Sequence, residues 1–189
     1  MFRFILALII HCCIDFIALP PTLGKEMGKL EGDKPANIDI TYKDRFIKFT
    51  MTYIGSILHV IFMYGCPLSY IEFLCFIIVV MGTIVSLHSY YTLGSLYTFD
   101  IGIRKDHKII NQGLYQFIAH PGYLGQLLVL FGATMFFDVY KIFASILMSW
   151  ICYCYYNRIH KEEEMLKKEF GEIYKNYLRN VYHLIPGIW

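Results

Sequence analysis

The apolar residues of this chain fall in long blocks separated by short polar or proline-bearing breaks. That pattern predicts helices immersed in an apolar medium rather than half-buried elements of a water-soluble domain. There are five blocks. Residues 4–19 stop at Pro20-Pro21, residues 46–64 and 68–87 are separated by Gly65-Cys66-Pro67, and residues 121–137 and 139–156 turn at Asp138. The second and third blocks approach the ~20 residues that a ~30 Å hydrocarbon layer requires at ~1.5 Å per residue, and they read as a helical hairpin. The last two read as another hairpin, with 121–137 short for a full crossing. Residues 22–45, rich in Lys, Asp, Glu, Gly and Pro, lack the apolar area to be anything but a loop. Residues 88–119 are polar and mixed, and residues 157–180 are charged at helical spacing until Leu184-Ile185-Pro186. The expected fold is all-α: one domain over 1–189, a polytopic membrane bundle of about five transmembrane helices with a C-terminal helix outside the bilayer. For the first block a cleaved signal is the alternative. His11 and Asp15 within it, and the lack of a small-x-small site after it, favour a retained helix.

Composition supports the same picture. The chain is 57% hydrophobic and only 17% charged, more apolar surface than a soluble domain can hide. A formal net charge of +2 is too small for a basic face that neutralises phosphates, so no nucleic-acid partner is expected. Cys12, Cys13, Cys66, Cys75, Cys152 and Cys154 form no C-x-x-C pair and lie mostly in apolar blocks; they read as small packing residues, with neither a metal site nor a disulfide framework. Charge also orients the bundle. With five helices, fifteen of the 17 Lys and Arg fall on the side of loop 22–45, the 88–119 loop and the C-terminal tail, leaving Arg3 and Lys141 opposite. Positive loops stay in the cytoplasm, so the tail is expected to be cytosolic.

The polar chemistry gathers in two segments that this topology places on one face. The first holds His107-Lys108-Ile109-Ile110, Tyr115, and His120-Pro121-Gly122-Tyr123. Proline suits the first position of a helix, so His120 is expected near an N-cap, where unpaired amides attract anions. The same residues also read simply as a helix start. In the second segment Arg158 and Glu162 share a helical face at i,i+4, either as an ordinary intrahelical ion pair or as part of a site. Glu162-Glu163-Glu164 reads as a solvated face. Met165, Leu166, Phe170, Ile173, Tyr174, Tyr177 and Leu178 form a stripe that lays the tail helix on the membrane or on the rest of the protein. His59 and Glu72 are isolated ionisable residues within apolar blocks. No G-x-G-x-x-G, Walker loop, H-E-x-x-H or G-x-S-x-G occurs.

Taken in order, H-x-I-I, G-x-Y, H-P-x-Y-x-G, an apolar hairpin, R-x-x-x-E-E-E-M-L-x-x-x-F-G-x-x-Y-x-x-Y and a final I-P resemble the isoprenylcysteine carboxyl methyltransferase family, and more loosely the phospholipid methyltransferases. The resemblance covers about the C-terminal half, from near Asp100 to Pro186, and implies an N-terminal part, 1–97, of membrane helices and loop, with a cofactor-binding and catalytic half, 98–189. It further implies S-adenosylmethionine bound by His107, Lys108, Ile109, Ile110, Tyr115, His120, Pro121, Gly122, Tyr123 and Glu162. Arg158 matches the arginine thought to hold the substrate carboxylate. The implied reaction methylates the C-terminal prenylcysteine of prenylated proteins, with an endoplasmic reticulum location. Ala119 departs from the family pattern, which usually has Arg before His-Pro. The competing readings are a phospholipid N-methyltransferase, a non-catalytic membrane scaffold, and, less favoured, a nicotinamide-dependent membrane reductase.

Overall fold

The computed structural model of the protein describes residues 2–18, 69–97, 108–137 and 141–189. The expected helix over 46–64, the loop 22–45, the Asp138 turn, His59 and His107 lie outside them. The described residues are helical, with no strand beyond a single parallel bridge between Ile118 and Tyr182. In order they form α1 (Phe2–Ala18), α2 (Tyr70–Leu93), 3₁₀ turns at Gly94–Leu96 and Gly113–Gln116, α3 (Pro121–Phe137), α4 (Lys141–Phe170) and α5 (Glu172–Arg179).

Helix α2 starts at a capping box. The Ser69 hydroxyl accepts from the Glu72 amide at 3.2 Å, and the Glu72 carboxylate accepts from the Ser69 amide at 2.8 Å. Glu72, buried at this helix end, therefore serves as a cap. The helix continues past the expected end at Leu87 to Leu93, because His88 to Thr92 lower hydropathy without breaking helical geometry. Its buried positions Glu72, Cys75, Val79, Gly82 and Ser89 keep a three-four spacing, the seam of a closely packed helix pair. The antiparallel partner is α3. A Cβ on Gly82 would sit 2.7 Å from the Gly125 carbonyl oxygen and 2.8 Å from the Val129 amide nitrogen, and one on Gly132 would sit 2.8 Å from the Cys75 carbonyl oxygen. Glycine is what lets these two backbones meet. Helix α1 adds Leu6, Ala7 and Ile10 to a cluster with Cys75, Val79, Val129, Ala133 and Phe136, at the end of the pair remote from His120.

Among the described residues one helix, α2, is long and apolar enough to cross a membrane, and α3 is apolar but shorter. Large apolar side chains stay exposed on the outer faces of α1, α2 and α4, among them Leu8, Ile71, Met81, Ile84, Ile142, Ile146 and Trp150. Tyr70 and Tyr91, 76% and 74% exposed, mark the two ends of α2. They stand about 30 Å apart at the α-helical rise, the separation of interfacial aromatic belts.

Helix α4 corrects one sequence expectation. The apolar block ending at Tyr156 and the charged tail form a single 30-residue helix, since neither glycine nor proline interrupts it before Gly171. There φ is +54°, a conformation glycine adopts without strain, and the chain turns back as α5. Tyr174 and Leu178 bury against Ala119, with Ile109, Leu166, Phe170, Tyr177 and Val181 around them. Leu166, Phe170, Tyr174, Tyr177 and Leu178 of the stripe thus pack on the protein, while Ile173 is exposed.

Candidate functional site

Two parts of the chain far apart in sequence meet at the start of α3. His120 accepts the first helical bond of α3 from the Leu124 amide at 3.1 Å, and Pro121 follows it, fully buried. The N-cap position expected from His-Pro is therefore occupied by His120. The turn before it is held by the C-terminal segment: the Ala119 amide donates to the Tyr182 carbonyl at 2.7 Å, the His120 amide to the His183 carbonyl at 3.1 Å, and the Tyr182 amide to the Phe117 carbonyl at 2.9 Å.

One helical turn along, Tyr123 faces α4. Arg158 Nε donates to the Tyr123 hydroxyl at 2.8 Å, and that hydroxyl donates to Glu162 Oε2 at 2.5 Å. Arg158 and Glu162, at i,i+4, are thus bridged through a tyrosine on another helix rather than only along their own. The His120 and Tyr123 rings lie at 17° to each other with centroids 5.6 Å apart. His120 Nδ1 is 4.0 Å from Glu162 Oε1. The next layer towards the apolar part of the helices is also polar: Tyr155 donates to Gln126 Oε1 at 2.9 Å, and Gln126 Nε2 lies 3.4 Å from the Tyr97 hydroxyl.

Residues expected to act together thus come together in part. His120, Tyr123, Arg158 and Glu162 form one constellation. Tyr115 is adjacent, but its hydroxyl is turned into α2, where it shares a 2.5 Å hydrogen bond with buried Ser89, and its carbonyl accepts from the Tyr177 hydroxyl at 2.8 Å. Gly122 packs against Ser89, its added Cβ lying 3.0 Å from the hydroxyl, so it serves the approach of α3 to α2. Ile109 lies in the apolar cluster under α5, Ile110 is half-buried, and Lys108 is exposed. His107 falls outside the described residues.

The triple glutamate corrects a second expectation. Helical rotation sends each carboxylate in its own direction: Glu162 to Tyr123, Glu164 to the exterior, and Glu163 inward, at 1% exposure. Glu163 Oε1 accepts from His183 Nδ1 at 2.6 Å, Oε2 accepts from Lys167 Nζ at 3.0 Å, and His120 Nε2 stands 3.5 Å from Oε1. Burial alone would raise its carboxyl pKa, but the neighbouring His120, Lys167 and His183 side chains outweigh it and hold the group down at about 2. Ala119, where the family pattern has Arg, is enclosed by Tyr174 and Leu178, and Lys167 is the lysine beside Glu163. Glu163, His183, Ser89, Tyr97, Gln126 and Tyr155 are absent from the sequence-derived set. Gln126 had a signal, an amide inside an apolar block; Glu163 and His183 had none that was local.

The arrangement fits a zwitterionic, positively charged small molecule. Glu162 keeps 27% of its side chain accessible beside Tyr123 and supplies an anion next to aromatic faces. His120 Nε2 is buried without a hydrogen bond among the described residues, and the first-turn amides of α3 lack intrahelical acceptors.

The chain is similar to known proteins over this same region. Residues 74–168 match the isoprenylcysteine carboxyl methyltransferase family. Over 115 residues the chain is 31% identical to the protein-S-isoprenylcysteine O-methyltransferase of Dictyostelium discoideum, covering 59% of this chain and 48% of that protein. It is 29% identical over 122 residues to a probable protein-S-isoprenylcysteine O-methyltransferase of Oryza sativa subsp. indica, covering 63% of each. It is 30% identical over 113 residues to protein-S-isoprenylcysteine O-methyltransferase B of Arabidopsis thaliana, covering 58% and 56%. The match spans from about half to just under two thirds of the length of these relatives. Because the matched stretch runs from α2 through the site into α4 and takes in just over half of the chain, this protein belongs to the isoprenylcysteine carboxyl methyltransferase family.

Proposed function

We propose that this chain is an integral-membrane, S-adenosylmethionine-dependent methyltransferase that esterifies the C-terminal prenylcysteine carboxylate of prenylated proteins at the cytosolic face of the endoplasmic reticulum. The observation that carries the reading is the meeting of Arg158 and Glu162 on Tyr123, three residues after His120. It puts a cation for an acceptor carboxylate and an anion for a donor ammonium within one side chain of each other. The names of the matched relatives supply the acceptor class.

S-adenosylmethionine, when bound, supplies an electrophilic methyl group on a sulfonium. The chain has to bind, orient and desolvate. Glu162 takes the donor's ammonium, the start of α3 its carboxylate, and Tyr123 presents an aromatic face to positive charge. Arg158 orients the acceptor carboxylate. Its Nε is already held by Tyr123, which fixes the guanidinium plane and aims its outer edge, and two parallel hydrogen bonds from a planar fork are what lysine cannot reproduce. A carboxylate attacking a methyl group in line needs alignment and exclusion of water, without a general base. To the donor the reading further assigns Lys108, Ile109, Ile110 and Tyr115, together with His107. The prenyl chain enters sideways between a bundle of about five membrane helices, and the fifteen-to-two charge asymmetry orients the site to the cytosol.

The test is transfer of labelled methyl from S-adenosylmethionine to N-acetyl-farnesylcysteine, beside phosphatidylethanolamine in the same membranes. Label in the farnesylcysteine ester is the expected result. Label in the phospholipid alone would establish the lipid N-methyltransferase instead, and no label with no donor binding would leave a scaffold. Arg158→Lys is expected to cut ester formation about a hundredfold while donor affinity stays within about twofold.

A further inference from the structure

The most heavily invested group near the site is one the proposed reaction does not use. Glu163 is a carboxylate at 1% exposure. Taking such a charge from water is costly, and an apolar residue of similar size would serve stability as well or better. One of its two oxygens bears on the turn before α3. Oε1 faces two imidazoles, accepting from His183 Nδ1 at 2.6 Å and lying 3.5 Å from His120 Nε2, while Oε2 takes Lys167 of its own helix. The main chain repeats the connection, since the His120 amide donates to the His183 carbonyl at 3.1 Å. The His183 ring is in turn held nearly parallel to Trp189, at 6°. His120 is thus held from two directions, by the Glu163 carboxylate of α4 and by the main chain at His183.

We infer that Glu163 and His183 are a positioning pair for His120, fixing its imidazole at the donor side of the site and making residues 182–189 a working part of that site. Glu163 Oε1 stands 3.5 Å from Nε2 of His120 and Glu162 Oε1 stands 4.0 Å from Nδ1, so the ring is set between the two carboxylates, one on each nitrogen edge. Neither Glu163 nor His183 touches the reactants; both act through His120. The inference rests on the reading of His120 as a donor-binding residue.

The experiment uses the full chain in lipid nanodiscs. Binding of S-adenosylhomocysteine is measured by calorimetry, donor and acceptor KM by methylation of N-acetyl-farnesylcysteine, and the setting of the His120 ring by ¹⁵N chemical shifts. Glu163→Gln and His183→Ala are each expected to weaken S-adenosylhomocysteine and raise the donor KM about tenfold, with acceptor KM within about twofold. Both should change the His120 ring ¹⁵N signals. His183→Asn, which keeps an N–H donor where Nδ1 lies, is expected to recover most of the donor affinity. Wild-type protein that binds no S-adenosylhomocysteine would sink the functional reading itself, and this inference with it. If the wild type binds but the variants bind equally well with an unchanged His120 signal, the positioning pair alone is wrong. Parallel loss of donor and acceptor affinity with a lowered melting temperature, unrecovered by His183→Asn, would show a merely structural role and overturn it too.

Discussion

The two ends of the α2–α3 pair are held together by opposite means. Towards α1 the contact contains no charge: Cys75, Val79, Val129, Ala133 and Phe136 close over Leu6 and Ile10, and the glycines bring backbone against backbone. Towards α4 the contacts are Ser89 with Tyr115, Tyr123 with Arg158 and Glu162, and Glu163 with His183 and Lys167. Where surrounding lipid is as apolar as the side chains, burial gives no preference for another helix over solvent, and close approach has to supply the attraction. Where water begins, an unpaired polar group is costly, and hydrogen bonds become specific fasteners. The first end is built to be tight and the second to be addressed by ligands.

The largest effect should come from breaking the tight end. Gly82→Leu places a side chain against the Gly125 carbonyl and the Val129 backbone, where no rotamer gives relief. It is expected to cost about 3 kcal/mol or more and to abolish a cooperative thermal transition in detergent.

Acid should loosen the polar end selectively. The Glu163 carboxyl sits at about 2 in the folded protein, below its ordinary 4.5, so the unfolded chain binds the extra proton and stability rises with pH. The contribution is complete above about 4.5 and is lost as pH falls towards 2. It amounts to roughly 3 kcal/mol at most. The groups facing this carboxylate are His120 from the α3 turn, His183 from the C-terminal segment, Lys167 on its own helix and Tyr174 from α5. Glu163→Gln is expected to flatten the stability-pH curve between those limits, read by denaturant titration at several pH values. Gly82 variants should leave its shape unchanged.

Smaller effects refine the contrast. Tyr115→Phe and Ser89→Ala each leave a buried hydroxyl without its partner, costing about 1–2 kcal/mol, and the double variant should cost clearly less than the sum. Ile173→Ser, on the exposed side of α5, should shift stability by less than about 0.5 kcal/mol. A large loss there would mean that α5 buries a second face.

Hydropathy located the apolar helices among the described residues and misplaced their ends. It closed one helix at Leu87 and another at Tyr156, whereas α2 runs to Leu93 and α4 to Phe170, because a helix leaving an apolar medium changes its composition but not its hydrogen bonding. The site was readable where local geometry dictates it: His120 before Pro121, and Arg158 and Glu162 one turn apart. Glu163 was not readable. It stands between two identical residues, and only the return of residues 182–189, nearly twenty positions later, makes the middle one inward and enclosed. Ala119 is similar. Sequence marks it as a lost cation, while the packing of Tyr174 and Leu178 over it comes from a helix reversed at Gly171.

Helix α4 carries Ile142, Ile146 and Trp150 at its apolar end and Arg158 with Glu162 beyond its middle, without a glycine or proline between them. At the α-helical rise it is a rod about 45 Å long. Such an unbroken rod tilts rather than bends. Any tilt imposed at its apolar end is delivered, as a lever delivers it, to the guanidinium on Tyr123, so the packing of Ile142, Ile146 and Trp150 becomes one of the coordinates that set the geometry there.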